Sequence, residues 1–349
     1  MVDRLFMMFR FQTWRTAAAC GLALVGSAVA SGPDEVTFMS VTTAYAPAPG
    51  LYVKVAAGAS HGMGIREDGT LVGWGSSIAA SIPLPGQFLD VACGEGFNVA
   101  IRMDGTLVGW GANDHGETDV PSGTFTQVVA GRQFACGLRS DGTVAAWGLD
   151  TTGINSPPPN TFVRIACGSY NCAGLRPDGI IAVWRESGGS FGSPPAGSFT
   201  AVAVGQYFGI AVREDGGLTA WGDNSTGALD VPGGSFKAVA CRLGFPAGIR
   251  ADGTITIWGT PAQFLPTPAP GNTFSAIVAG DSFYYALRCF PNCDNSTGSP
   301  PLNANDFQCF LNRFASGSVF ANCDSSTTAP ILTANDFHCF LNRFASGCE

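Results

Sequence analysis

Side chains that carry oxygen recur with one spacing in two segments near the C-terminus. NCDNSTGSPPLNANDFQCFLNRFASG begins at Asn292, and NCDSSTTAPILTANDFHCFLNRFASG begins at Asn322. In each segment Asn, Asp and Ser stand at alternate positions, and an aspartate, Asp306 or Asp336, stands at the head of an amphipathic stretch. Flexible loops of this kind assemble oxygen ligands around Ca²⁺. The pattern predicts a tandem calcium-loop module, and the alternative is a metal-free helical pair whose aspartates cap the helices.

Cysteines and an apolar helical face set the same tail apart from the rest of the chain. Phe307, Phe310, Leu311 and Phe314 recur at the spacing of one face of a helix. Six of the twelve cysteines fall at positions 289, 293, 309, 323, 339 and 348. Such density in a small exported module indicates disulfides, and several pairings are open. We expect residues 290–349 to form a small, helical, disulfide-rich domain.

The duplicated Asn-x-Asp-x-Ser…Asp-Phe pattern resembles a dockerin module, specifically the Cys-containing dockerin-like tails of exported bacterial proteins. The resemblance implies that the tail attaches the protein to a partner on a cell surface or in an extracellular complex. The implied Ca²⁺ ligands are Asn292, Asp294, Ser296, Asn303 and Asp306 in one loop, and Asn322, Asp324, Ser326, Thr333 and Asp336 in the other. The closing aspartates come three positions later than in the standard loop, and Thr297 and Thr327 replace its Gly.

Six tryptophans at nearly constant spacing organise the remainder of the chain. Trp74, Trp110, Trp147, Trp184, Trp221 and Trp258 stand 36 or 37 residues apart, and each follows an Arg-x-Asp-Gly segment between two short apolar runs. Asp-Gly between such runs is a hairpin signal, and a period in this range is typical of repeat architectures. Radial closure protects the strand edges of short antiparallel sheets. The sequence therefore predicts an all-β protein, a β-propeller, over residues 31–289.

A partial seventh copy starts at Phe274 (FSAIVAGDSFYYALR) and ends before a hairpin or Trp. The segment Val41 to Tyr45 can be aligned with the Trp-containing strand of a full copy, so we expect it to complete this blade. Seven blades are then built from six full copies and a split one. Six blades are the main alternative.

The N-terminus indicates export. Arg4, Arg10 and Arg15 precede an apolar run that ends in an A-x-A site, Ala28 to Ala30, so residues 1–30 are predicted to be a secretory signal peptide. The weaker alternatives are a membrane anchor, for which the run is short, and a lipoprotein signal at Cys20. Cleavage would leave 15 basic and 25 acidic residues, a net charge of −10. This charge argues against a nucleic-acid or anionic-membrane partner.

The repeated V-A-x-G, Arg-x-Asp-Gly-Thr and Trp-Gly elements resemble the regulator of chromosome condensation repeat over roughly residues 51–289. Copies 2, 3 and 5 also carry part of the loop that follows Trp in that family, whereas copies 1, 4 and 6 depart from it. The family's best-known member exchanges nucleotide on a small GTPase in the nucleus. The short period and the Asp-Val-Pro linkers look more like exported bacterial members, including one that inhibits a β-lactamase.

Candidate binding residues lie where the copies differ, after each V-A-x-G element and after each Trp. An aromatic or histidine recurs at the first of these places: His61, Phe97, Phe134, Tyr170, Tyr207, Phe208, Phe245 and Tyr284. These side chains either pack inside the blades or surround one mouth of the propeller, where they would suit a protein partner. Cys93, Cys167 and Cys241 are expected to be small buried core residues, and a Cys136–Cys172 bridge is an open alternative to free thiols.

No arrangement typical of catalysis is present in the repeats. His61 and His115 are the only histidines of the propeller region, and they belong to separate copies. We therefore expect a monomeric, non-catalytic, exported recognition propeller carried on a calcium-binding tail. The alternatives are a structural spacer whose only binding activity is in the tail, and a hydrolase or an inhibitor of an extracellular enzyme.

Overall fold

The computed structural model describes residues 27–40, 46–47, 51–66, 68–75, 84–150, 153–185, 191–260 and 274–288. These residues form 21 β-strands, and none of them lies in an α-helix. The described part accordingly holds no helix of the length and apolarity that a membrane crossing requires. The strands are Ser27–Ser40 (β1), Leu51–Ala57 (β2), His61–Ile65 (β3), Leu71–Gly75 (β4), Phe88–Cys93 (β5), Phe97–Arg102 (β6), Leu107–Gly111 (β7), Phe125–Ala130 (β8), Phe134–Arg139 (β9), Val144–Gly148 (β10), Arg164–Cys167 (β11), Asn171–Leu175 (β12), Ile181–Arg185 (β13), Phe199–Val204 (β14), Phe208–Arg213 (β15), Leu218–Gly222 (β16), Phe236–Arg242 (β17), Phe245–Arg250 (β18), Ile255–Ile257 (β19), Phe274–Ala279 (β20) and Phe283–Arg288 (β21).

The strands form antiparallel sheets that follow the sequence repeat. Copies 2 to 6 each fold into a three-stranded sheet, β5-β6-β7, β8-β9-β10, β11-β12-β13, β14-β15-β16 and β17-β18-β19. A six-stranded sheet has the order β20-β21-β1-β2-β3-β4. The first strand of each copy contacts the first strand of the next copy from β2 to β20, and β20 also contacts β2. The all-β prediction is confirmed, and the sheets have the arrangement of a β-propeller.

The Asp-Gly hairpins occur where the sequence predicts them. The glycine of each pair, from Gly69 to Gly253, has φ between 78° and 85°, a conformation that glycine adopts without strain. In copy 2 the Asp104 carboxylate accepts hydrogen bonds from the backbone N–H and the hydroxyl of Thr106, at 2.9 and 2.7 Å. The Thr106 hydroxyl is the main cause of the lowered pKa of Asp104. The turn residues are therefore scaffold.

Each hairpin also holds the first strand of the following sheet. The carbonyl of Gly69 accepts a hydrogen bond of 2.8 Å from the backbone N–H of Phe88, and five further copies repeat this contact. In copies 2, 3, 5 and 6 the repeated arginine lies over the phenylalanine at the start of its own sheet, as Arg139 does 4.8 Å from the ring centroid of Phe125. Cation–π contact of this kind gives the arginine a structural role in these four copies.

The repeated tryptophans pack between neighbouring sheets, as predicted. All six are buried. The indole N–H of Trp147 donates to the carbonyl of Glu117, and that of Trp258 donates to the carbonyl of Ala228, each in the loop of the preceding copy. The indole nitrogens of Trp74, Trp184 and Trp221 are buried without a hydrogen-bond partner in the described part of the chain. All six tryptophans are thus buried, whereas the hydrogen bonds described for Trp147 and Trp258 are made with the loop of the preceding copy.

The strand that pairs with the partial seventh copy is β1. Residues 35–40 of β1 pair with β21, from Glu35 opposite Arg288 to Ser40 opposite Phe283. This position lies just before the predicted Val41 to Tyr45 segment, which is outside the described residues. On its other side, β1 pairs with β2 through residues 27–29 and through Asp34 and Glu35. Pairing with β21 therefore uses only residues that follow the predicted cleavage site at Ala30.

The cysteines of the described region differ in part from expectation. Cys93 and Cys241 are free and buried, as predicted. Cys167 is buried as well, as expected, but it also forms a disulfide with Cys172, which the sequence analysis did not predict. The register places these two residues directly opposite each other on β11 and β12. The open alternative of a Cys136–Cys172 bridge does not occur, although the two sulfurs lie 3.8 Å apart.

Residues 1–26 and 289–349 lie outside the described part of the chain. The signal peptide, the tail cysteines and all ten predicted calcium ligands, from Asn292 to Asp336, therefore stay predictions.

Candidate binding face

The two sets of variable segments meet at one edge of the sheets. In a three-stranded antiparallel sheet, the first connection and the exit of the third strand lie at the same end. Backbone N–H groups after Trp accordingly donate to the first connection: Ala112 to Gly96 at 2.9 Å, Leu149 to Gln133 at 2.8 Å and Asp223 to Tyr207 at 3.0 Å. We call this side the loop face. The opposite side, which carries the regular Asp-Gly turns, is the hairpin face.

Backbone hydrogen bonds join the first connections of neighbouring copies along the loop face. The N–H of Glu95 donates to the carbonyl of Arg132 at 2.9 Å, and the N–H of Arg132 donates to the carbonyl of Ser169 at 3.3 Å. The N–H of Gln206 donates to the carbonyl of Leu243 at 3.1 Å. The loops therefore support one another, and their side chains project from a fixed backbone.

Four of the predicted binding aromatics belong to the core. Phe97, Phe134, Phe208 and Tyr284 are at most 4% exposed. The three phenylalanines stand three positions after the glycine of V-A-x-G, and each ring covers that glycine so closely that an added Cβ would collide with it. Burial, with a smaller contribution from the nearby Cys241, raises the pKa of Tyr284 well above its usual value. These residues fill the inner packing and do not present a binding surface.

His61 is also buried. Its Nε2 is 2.8 Å from the Asn98 Oδ1, while its Nδ1 has no hydrogen-bond partner among the described residues. Burial lowers the pKa of His61, an effect that outweighs the hydrogen bond to Asn98, and the nearby Arg242 lowers it further. The histidine is therefore held in its neutral form between the first two copies. It has the environment of a structural residue.

Tyr170 and Tyr207 are the predicted residues that reach the loop face. They stand two positions after the glycine of V-A-x-G rather than three. A shift of one residue reverses the side to which a side chain points, so these two tyrosines lie at the tips of the loops. Tyr207 is 40% exposed. The two rings stack with centroids 6.3 Å apart and planes 24° apart. For Phe245, the structure describes only its backbone, as the first residue of β18.

An arginine that the sequence analysis did not single out fixes one tyrosine. The Nη1 of Arg132 donates to the Tyr170 hydroxyl at 2.6 Å, and its Nε is 2.5 Å from the Glu95 carboxylate. These contacts raise the pKa of Arg132, chiefly through the hydrogen bond to Glu95. The signal that could have found them is the charged pair at the same position of copies 2 and 3. Glu95, Arg132, Tyr170 and Tyr207 form what we call the tyrosine platform.

A second missed residue, Arg242, ends the first strand of copy 6. Arg242 replaces the glycine of V-A-x-G in copy 6, and its side chain is largely buried. Its Nε is 2.5 Å from Asp281 of the last copy. Its Nη1 donates to the carbonyls of Ala57 and Cys93, at 3.3 and 3.4 Å, on the first two copies. Arg242 therefore connects copies on both sides of the N- and C-terminal junction.

A small pocket lies beside the tyrosine platform, between copies 3 and 4. Its volume of about 20 Å³ is roughly that of a single water molecule. Arg132, Phe134, Ile154, Ser169 and Tyr170 contribute to its lining. The described part of the loop face thus offers a contact surface with exposed aromatic and charged groups.

Comparison with known proteins agrees with this architecture. Four segments, residues 52–77, 88–117, 125–154 and 199–228, match the model of the Regulator of chromosome condensation (RCC1) repeat. They correspond to copies 1, 2, 3 and 5. Among curated proteins no sequence matches the chain.

Solved structures with a similar fold include proteins from yeast and plants. Prp20p from Saccharomyces cerevisiae has a TM-score of 0.63 and 13% identity, over 82% of this chain and 96% of that one. The ectodomain of the Physcomitrella patens receptor kinase CR4 has a TM-score of 0.58 and 23% identity, over 73% and 70%. The CRINKLY WD40 ectodomain of the Arabidopsis thaliana receptor kinase ACR4 has a TM-score of 0.52 and 23% identity, over 60% and 79%. At these identities the likeness concerns the fold. The repeats and the fold together define an RCC1-like β-propeller.

Proposed function

We propose that this chain is an exported, non-catalytic recognition protein whose loop face binds a protein partner. The observation that carries the proposal is the tyrosine platform. Tyrosine and arginine are enriched among the residues that contribute most to protein–protein binding. Here Arg132 and Tyr207 are exposed and Tyr170 is partly exposed. Hydrogen bonds and stacking set their positions before any partner arrives, which lowers the entropic cost of binding.

Other RCC1-like propellers support a binding role. The structures of the yeast protein are described as Kap60 bound to yeast RCC1 (Prp20) and as Prp20p with binding properties to Gsp1p and histones. Those partners belong to that protein, and the shared fold does not transfer them. What the comparison supports is the general use of this scaffold for holding proteins.

We further propose that the propeller has seven blades. Two observations support this number. The first strands of the seven copies contact one another in sequence, and β20 contacts β2. In addition, β1 pairs with β21, so that an N-terminal strand supplies what the partial seventh copy lacks. Closure by strands from both termini would make the ring resist opening.

Export and anchoring complete the proposal. The apolar N-terminal run and its A-x-A site support secretion, and the net negative charge supports a protein partner rather than a nucleic acid. The repeated oxygen-rich loops support Ca²⁺ binding by a dockerin-like tail that holds the propeller at a cell surface or in an extracellular complex. The competing function is a spacer in which only the tail binds.

Capture with matched variants separates these two functions. The full chain, immobilised and exposed to envelope and extracellular proteins of the producing organism, is compared with Tyr170→Ala combined with Tyr207→Ala. The control is Met103→Ala, which removes a side chain that is 58% exposed beside an Asp-Gly turn of the hairpin face. We expect at least one protein to be captured by the wild type and the control and to be lost from the tyrosine variant. Identical capture by all three proteins would contradict recognition by the loop face and favour the spacer.

A further inference from the structure

Three cysteine sulfurs meet between the third and fourth copies. Cys167 and Cys172 form a disulfide, and the Sγ of Cys136, on β9, lies 3.8 Å from the Sγ of Cys172. The three sulfurs all lie within 4.8 Å of one another. All three residues are buried. Cys172 thus has one possible bridging partner on its own sheet and a second one on the neighbouring sheet.

The surroundings of the three sulfurs are apolar. Phe134, Ile154, Phe162, Ile165 and Trp184 belong to the same buried cluster. Cys93 and Cys241 are also buried and free, but they lie in other clusters. In the part of the chain that the structure describes, this is the one group of three side chains able to hold a metal ion together, and two of its members are already joined covalently.

We propose that Cys136, Cys167 and Cys172 form a thiol–disulfide exchange site, in which the Cys167–Cys172 bridge converts to a Cys136–Cys172 bridge that joins the third and fourth copies. Cys136 loses its proton, and its thiolate attacks the Sγ of Cys172. The bond between Cys136 and Cys172 forms as the bond between Cys167 and Cys172 breaks, and Cys167 leaves as a thiolate that takes up a proton. Cys136 changes from a thiol to a disulfide partner and Cys167 changes from a disulfide partner to a thiol, so no external oxidant or reductant is consumed.

The reaction is expected to be slow. The sulfurs form a compact triangle rather than the line that a displacement requires, so the Cys136 side chain must rotate to another rotamer first. Burial also raises the pKa of the Cys136 thiol, which keeps the nucleophilic thiolate scarce. A small thiol such as glutathione offers a second route once local opening exposes the buried bridge, because it can then open the bridge as a mixed disulfide and be displaced in a second step.

The exchange has a direct structural consequence for the loop face. The Cys167–Cys172 bridge joins β11 to β12 across the connection that carries Tyr170. After exchange, this side-chain link between β11 and β12 is lost, and β12 is tied instead to β9, in the same copy as Arg132. The chemistry stands independently of the proposed binding role, but it would change the setting of the tyrosine platform.

Peptide mapping can identify each bridge. Trypsin releases residues 133–139, which contain Cys136, and residues 165–185, which contain the other two cysteines because the bond before Pro177 resists cleavage. Chymotrypsin cuts after Tyr170 and separates Cys167 from Cys172. Free thiols are alkylated in acid before digestion, so that the bridges do not shuffle during the analysis.

The first test uses the full chain with Cys167→Ser, refolded in a buffer of reduced and oxidised glutathione. We expect residues 133–139 to be linked to the peptide that contains Cys172 and the alkylation of Cys136 to be lost. Cys93→Ser is the control, and it should keep the Cys167–Cys172 bridge with Cys136 alkylated. Two alkylated thiols at positions 136 and 172 in folded Cys167→Ser would overturn the proposal.

The second test uses the wild-type chain, so it holds even where the variant does not fold. Native protein is incubated in the same glutathione buffer, and the linked 136–172 peptides are measured over time. We expect them to accumulate from zero to a constant fraction while the internally bridged 165–185 peptide decreases. A wild-type chain that remains free of the linked peptides until equilibrium would overturn the proposal.

Discussion

Replacement of Asp90 by alanine should weaken the junction of the first three copies. The Lys54 Nζ lies 2.7 Å from the Asp90 Oδ1, and the two side chains are only 7% and 1% exposed. The same carboxylate accepts hydrogen bonds from the backbone N–H of Val91 at 2.7 Å and from that of Val128, on β8, at 3.0 Å. Asp90→Ala leaves a buried ammonium without its anion and takes this acceptor from two backbone N–H groups.

The magnitude follows from the burial of both partners. Removing one member of a buried ion pair costs about 3–5 kcal/mol of the free energy of unfolding, because the remaining charge is uncompensated. For a domain of this size the loss corresponds to a fall in Tm of roughly 6–10 °C. In Lys54→Met combined with Asp90→Ala no charge is left buried, so we expect the double variant to unfold at a higher temperature than Asp90→Ala alone.

Differential scanning calorimetry of the full chain provides the measurement. Asp104→Ala is the control, since it removes a fully exposed carboxylate that only supports its own turn. The reasoning would be refuted by an Asp90→Ala protein whose Tm falls no further than that of Asp104→Ala. It would also be refuted by a double variant that is less stable than Asp90→Ala.

Three further predictions address the packing, the titration of a buried group and the tail. Trp147→Phe removes an indole that donates to Glu117, whereas Trp221→Phe removes one without a described partner. In urea unfolding, the first variant should lose about 1 kcal/mol more of the free energy of unfolding than the second. Equal losses would contradict a stabilising hydrogen bond. Because the folded-state pKa of His61 is lowered from 6.5, its contribution to stability is complete above that pH and is lost as the pH falls below it. The fall in Tm from pH 7 to 5 should therefore be smaller in His61→Gln than in the wild type, and an equal fall in the two proteins would contradict the lowered pKa. Ca²⁺ at millimolar concentration should raise the Tm of the tail transition in the full chain, and EDTA should reverse the increase. Asp294→Asn combined with Asp324→Asn should abolish the response. A wild type without any response would favour the metal-free helical pair.

Local signals predicted the repeated parts of the fold correctly. The Asp-Gly turns and the buried tryptophans are specified by residues close to one another in sequence, and the same local pattern recurs in each full copy. Pairing between the two ends of the chain has no such local signal. The segment Val41 to Tyr45 resembles a Trp-containing strand, yet the residues that pair with β21 are Glu35 to Ser40. Strand resemblance does not determine which strand occupies a shared edge.

The candidate binding residues were predicted only in part, for a related reason. Phe97 stands three positions after the preceding glycine, and Tyr170 stands two positions after it. This difference of one residue places the Phe97 side chain in the core and the Tyr170 side chain at the loop tip. The distinction can be found in the sequence once the register of the first hairpin is known. The same register places Cys167 opposite Cys172 and explains why that pair is bridged. The role of Arg132 depends on contacts between copies, which spacing within a copy does not reveal.

The affinity of the loop face for a captured partner tests the central claim most directly. Isothermal titration with the purified partner would compare the wild type, Tyr170→Ala combined with Tyr207→Ala, and Met103→Ala. If the tyrosine platform is a binding hot spot, its loss should cost about 2 kcal/mol or more of the binding free energy, which raises the Kd roughly 30-fold. Met103→Ala should leave the Kd unchanged. A tyrosine variant that binds as tightly as the wild type would contradict the account.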